Sequence, residues 1–155
     1  MFMGTTLELV YKYRQLIGQC DAGYGLDFDG IDALMAIEAL FAPDNPASTQ
    51  LASERVSMRA IVRNESLDDG VTVVRLGPTG GVCRQAPYVE EGDTIELVID
   101  DVGESLSYRF KARVTSLRDD VCDDFAIDLE FIGVPLLVHY GSVIDLPADV
   151  AQIAA

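Results

Sequence analysis

The spacing of apolar residues changes once along this chain, and the change divides it in two. Leu7, Leu9, Val10, Tyr13, Leu16 and Ile17 recur at helical spacing, as do Ile31, Leu34, Met35, Ile37, Leu40 and Phe41, which predicts two helices within residues 6–42. The segment Asp21-Ala-Gly-Tyr-Gly25 separates them, with glycines suited to ending the first helix. Asp27 and Asp29 supply an N-cap and favourable charge at the start of the second. The expected unit is a helical hairpin with an apolar seam over residues 1–43, which must bury that seam on the rest of the chain, on another copy or on a partner. Residues 44–53 carry prolines and small polar side chains and read as a linker.

Beyond the linker the period becomes two. Strands are expected at about 55–64 and 71–76, joined through Glu65-Ser-Leu-Asp-Asp-Gly70, with a third beginning over Gly80 to Arg84. Ile95, Leu97 and Ile99 define a fourth, and Leu106, Tyr108, Phe110, Ala112 and Val114 alternate with polar residues in a fifth. Phe125, Ile127, Leu129 and Phe131 mark a sixth. Six short alternating strands with tight turns favour a closed antiparallel barrel, because closure removes exposed edges. The apolar run after Gly133 fits either a final strand or a helix over the barrel mouth, and residues 145–155 fit a short helix with Pro147 in its first turn. The predicted class is α+β, mainly β: a helical hairpin, a six-stranded antiparallel barrel from residue 54, and a short C-terminal helix.

Charge narrows the partners. Eleven Lys and Arg stand against 26 Asp and Glu, a formal net charge of -15, which disfavours nucleic acid and anionic lipid. The basic residues cluster nonetheless: Arg55, Arg59, Arg63, Arg75 and Arg84 lie in one window, and Arg109, Lys111, Arg113 and Arg118 in another. Three cysteines without CxxC spacing fit buried apolar positions in a reducing compartment. With no run of 18 apolar residues and no basic leader ahead of an apolar stretch, a cytoplasmic protein without membrane insertion is expected.

Familiar catalytic signatures are missing. The single histidine, His139, sits in an apolar segment, and no nucleophile elbow, P-loop or His-Glu-x-x-His motif occurs. Asp119-Asp120 and Asp123-Asp124 could attract a divalent cation but lack the spaced ligands of a calcium loop, so a solvated turn is the expectation. A non-catalytic chain without cofactor follows. What stands out is Arg55-Val-Ser-Met-Arg59-Ala-Ile-Val-Arg63, whose arginines share one face of an extended strand, followed by Leu76-Gly-Pro-Thr-Gly80-Gly81. Arginine forks and Gly-Gly backbone amides suit phosphate, but the same residues could be the wet face of a strand and a tight turn with positive φ.

In order and spacing, the arginine segment, the hairpin, the Gly-Gly turn, Glu91-Gly-Asp93, Phe110-Lys-Ala-Arg-Val114 and Ala126-Ile-Asp-Leu-Glu-Phe-Ile132 resemble a PilZ domain over about residues 52–140. The resemblance implies a six-stranded barrel, and many family members bind cyclic di-GMP. They do so with an Arg-x-x-x-Arg segment ahead of the first strand and an Asp/Asn-x-Ser-x-x-Gly turn. On this chain only Gly81 matches the turn: Leu76 takes the acidic or amide position and Pro78 the serine position. Arg55-x-x-x-Arg59 and Arg59-x-x-x-Arg63 both fit the arginine spacing but fall within the predicted strand.

Two readings stay open at this point. One is a PilZ-like adaptor that works through a protein partner in bacterial motility, polarity or surface-behaviour signalling, with a degenerate dinucleotide site and possible self-association through the hairpin. The other is a working cyclic di-GMP receptor that uses Arg55, Arg59, Gly80 and Gly81, with Arg63 extending the basic face.

Overall fold

The computed structural model describes residues 5–43 and 51–139; the expected helix at 145–155 and residues 44–50 of the linker lie outside them. Helix α1 (Thr6–Asp21) begins with a capping box, the Glu8 N–H donating to Thr5 Oγ1 at 3.1 Å and the Thr5 N–H to Glu8 Oε1 at 3.0 Å. Helix α2 (Phe28–Leu40) is capped by Asp27, whose carboxylate accepts from the Gly30 N–H at 2.7 Å, as the sequence suggests.

Six strands follow: β1 (Glu54–Arg63), β2 (Asp68–Leu76), β3 (Gly80–Ala86), β4 (Thr94–Asp101), β5 (Leu106–Asp119) and β6 (Phe125–His139). All pairings are antiparallel, and β1 pairs with both β2 and β4, so the order β1-β2-β3-β6-β5-β4 closes into a barrel. The first loop is shorter than expected. Asp68, Asp69 and Gly70 belong to β2, and Asn64 Oδ1 closes the turn by accepting from the Ser66 and Leu67 N–H groups. The apolar run after Gly133 continues β6, pairing Leu136, Leu137 and Val138 with Arg109, Tyr108 and Ser107.

Alternation fills the interior: Ala60, Val62, Val71, Val73, Ile95, Leu97, Ile99, Phe110, Ala112, Val114, Ile127, Leu129 and Phe131 are all buried. Leu7, Val10, Tyr13, Ile37 and Phe41 of the hairpin join the same core. The hairpin therefore packs on the barrel, chiefly α1 against β6, where an Arg14 N–H donates to the Gly133 carbonyl, while Tyr11 meets Tyr108 of β5 edge-on at 5.6 Å.

The expected seam of α2 is only half buried. Ile37 and Phe41 face inward, whereas Ile31, Met35 and Leu40 are exposed. The helix is apolar on more than one face, which spacing of hydrophobic residues alone does not separate.

Candidate functional site

Strand geometry positions the three arginines. Val56, Met58, Ala60 and Val62 turn toward the core and Arg55, Arg59 and Arg63 away from it, with a bulge between Arg55 and Met58. Alternation also spreads them out: eight residues at about 3.3 Å each place Arg55 roughly 26 Å from Arg63. One small ligand cannot be held by all three. Arg63 is engaged with Glu96, Nε donating to Oε1 at 2.8 Å, and that carboxylate raises its pKa above the ordinary value. Among the described residues, Arg55 and Arg59 have no ion pair.

Arg55 lies opposite Arg75, an unfavourable cross-strand pair of like charges. Arg75 turns instead to Ser53, donating from Nε to Oγ at 2.9 Å and from Nη2 to the carbonyl at 2.8 Å. It pins the end of the linker over the turn between β2 and β3. The Ala52 N–H donates to the Phe41 carbonyl at 2.7 Å, so the same segment also holds the end of α2.

The PilZ resemblance places its ligand-binding loop on that turn. Leu76 is fully buried in the barrel core and offers nothing to solvent. Gly80 and Gly81 do not have positive φ, so the expectation of a tight turn with positive φ is wrong for them. Their requirement for glycine comes from close backbone approach. A Cβ on Gly80 would fall well inside van der Waals contact with the Leu129 carbonyl oxygen, and one on Gly81 would lie 2.7 Å from the Arg75 carbonyl oxygen. β3 is squeezed between β2 and β6, and side chains at these two positions would push the ladders apart.

A shallow groove of about 550 Å³ runs beside the turn, lined by Ser53, Thr79, Gly80, Gly81, Thr115 and Glu130 among others. Arg55, Arg59 and Arg63 do not line it. The groove thus holds the expected glycines without the expected arginines, and its carboxylate, Glu130, is paired with Arg113, whose Nη1 donates to Oε1 at 3.3 Å.

One residue of the acidic pairs, Asp120, has a structural use. A short 3-10 turn, Val121–Asp123, joins β5 to β6, and Asp120 next to it accepts from the Arg84 fork, including Nη2 at 2.5 Å, and from the Gln85 N–H at 3.2 Å. The Arg84 guanidinium and the Gln85 N–H lower the Asp120 pKa to about 2. Among the described residues, no group of three or more His, Cys, Asp or Glu could hold a metal ion. Cys83 is buried, and burial pushes its thiol up to about 12, while Cys20 and Cys122 are exposed, contrary to the expectation that all three are interior. His139 ends β6 opposite Leu106 and is exposed.

Sequence reasoning missed the Arg84–Asp120 and Arg75–Ser53 contacts, which join residues 36 and 22 positions apart. It also missed the exposed side of α2, for which the largely apolar run from Ile31 to Leu40, interrupted only by Asp32 and Glu38, was the available sign.

No known protein family and no curated protein matches the chain. Among solved structures it is similar to the inhibitor of motility MotI/DgrA of Bacillus subtilis, at 14% identity and a TM-score of 0.45 over 53% of this chain. The match spans 41% of that protein, so the chain covers less than half its length. Among the described residues, no helix is long and apolar enough to cross a membrane.

Proposed function

We propose that the chain is a non-catalytic, PilZ-like regulatory module that acts by binding another protein and has lost the family's dinucleotide site. The observation that supports this reading is the state of the turn between β2 and β3. Its acidic or amide position is a buried leucine, its serine position is a proline without hydroxyl or N–H, and its glycines serve backbone packing. Each polar edge of a ligand left without a partner costs about 1–3 kcal/mol, so two lost anchors weaken binding by about 30-fold or more. Arg55 and Arg59 keep an exposed basic face available to an acidic surface of a partner. Assignment to motility, polarity or surface-behaviour signalling rests on the sequence resemblance.

Isothermal titration of cyclic di-GMP into the purified protein tests the reading. A flat titration at high micromolar ligand is expected. Saturable heat that disappears in Arg55→Ala or Arg59→Ala would instead establish a dinucleotide receptor.

A further inference from the structure

Helix α2 carries a second apolar face that nothing in the described fold covers. Ile37 and Phe41 point into the core, yet Phe28 is 86% exposed, Met35 62% and Ile31 41%. Phe28, Ile31 and Met35 stand at positions i, i+3 and i+7, and therefore form one stripe along the helix. Tyr24, 85% exposed in the loop before α2, adds apolar surface at the start of the helix. Scattered exposed apolar residues are ordinary on any protein; a continuous stripe on one helix marks a contact surface.

Charge identifies what can cover it. From Asp21 to Phe41 every charged residue is acidic: Asp21, Asp27, Asp29, Asp32 and Glu38, with no Lys or Arg between Arg14 and Arg55. Asp32 and Glu38 lie on the helix to either side of the stripe, whereas Asp29 lines a groove with Lys12 of α1. A second copy would bring the same carboxylates against themselves, in a chain whose formal charge is already -15.

We infer that the exposed face of α2 docks a partner protein's amphipathic helix, whose apolar stripe is flanked by Lys or Arg. The apolar side chains supply the contact and the carboxylate rim selects a basic partner and excludes an acidic one. This inference rests on the proposed reading of the chain as an interaction module and names its docking surface and partner chemistry. That surface lies on the hairpin, apart from the basic face that Arg55 and Arg59 form on β1.

The probe is a pair of fluorescein-labelled synthetic helical peptides with leucines at i, i+3, i+4 and i+7, one flanked by lysines and one by glutamates, titrated with the full chain and read by fluorescence anisotropy. Saturable binding of the lysine peptide is expected, about tenfold or more weaker for Met35→Asp or Phe28→Ser, and weaker for wild type at raised salt. Both positions are exposed, so the variants keep the fold, and circular dichroism verifies this. Equal binding of the two peptides, or unchanged affinity in both variants, overturns the inference. So does a dimer in sedimentation equilibrium that Met35→Asp dissociates, because the second copy is then the occupant. Loss of peptide binding in Arg55→Ala/Arg59→Ala with none in the α2 variants would reject the α2 surface while leaving the interaction-module reading intact. Saturable heat with cyclic di-GMP would reject that reading whatever the peptides do.

Discussion

Replacing Gly80 by alanine separates a packing role for the Gly-Gly pair from a ligand role. The added Cβ would overlap the Leu129 carbonyl oxygen and lie 3.0 Å from its carbon, both backbone atoms that a rotamer change cannot move. Forcing extra volume into such a site costs about 1–3 kcal/mol. Displacing Gly80 also threatens two backbone bonds at this corner, Gly77 N–H to the Gly80 carbonyl at 2.9 Å within the turn and Phe131 N–H to the adjacent Thr79 carbonyl at 2.9 Å across to β6. Each is worth about 1 kcal/mol. Against this, alanine restricts the unfolded chain and returns about 0.4–1 kcal/mol. The balance is a loss of about 2–5 kcal/mol, a large part of the roughly 5–15 kcal/mol that holds a domain folded. Urea unfolding followed by far-UV circular dichroism measures it, with Gly81→Ala as a companion whose Cβ meets the Arg75 carbonyl oxygen at 2.7 Å. A Gly80→Ala protein within about 0.5 kcal/mol of wild type, the range of an ordinary surface change, would refute the close-approach argument and reopen a ligand role for the glycine.

Phe41, at the end of α2, is 1% exposed and shares the barrel core, so Phe41→Ala should cost about 3–5 kcal/mol and the protein should still unfold in one transition; separate transitions in calorimetry would show that hairpin and barrel are independent units. Cys83 is buried with its thiol pushed up to about 12, so iodoacetamide near neutral pH should label Cys20 and Cys122 in the native protein and reach Cys83 only after denaturation, as mass spectrometry can count. Asp120 is held at about 2, below its ordinary 3.8, so its ion pair with Arg84 contributes fully above that ordinary value and fades as pH falls through about 2. Asp120→Asn should remove that component of acid sensitivity; identical acid unfolding curves for the two proteins would contradict the assignment.

The strands of this barrel were legible because alternation is a local property. Phe110, Ala112 and Val114 must share a face in any extended chain, and a polar residue between each pair marks the other face as wet. The cap at Asp27 was legible for the same reason, since its carboxylate bonds to an N–H three residues on. The candidate site was legible only in part. The sequence pointed to Gly80 and Gly81 but assigned the wrong cause, because the nearness of Leu129 depends on which strand pairs with β3, and that strand lies more than 40 residues away.

The sequence alone determined the switch from helical to alternating periodicity, the number of strands, the acidic balance and the lack of side-chain anchors in the Leu76 to Gly81 turn. Each of these follows from residue identity and near-neighbour spacing. Only the tertiary structure decided that β1 closes on β4, that Arg63, Arg75 and Arg84 are committed to Glu96, Ser53 and Asp120 while Arg55 and Arg59 have no ion pair among the described residues, and that α2 buries Ile37 while exposing Met35. Those outcomes depend on which elements approach one another and how closely, and contacts across dozens of residues leave no periodic trace in the chain.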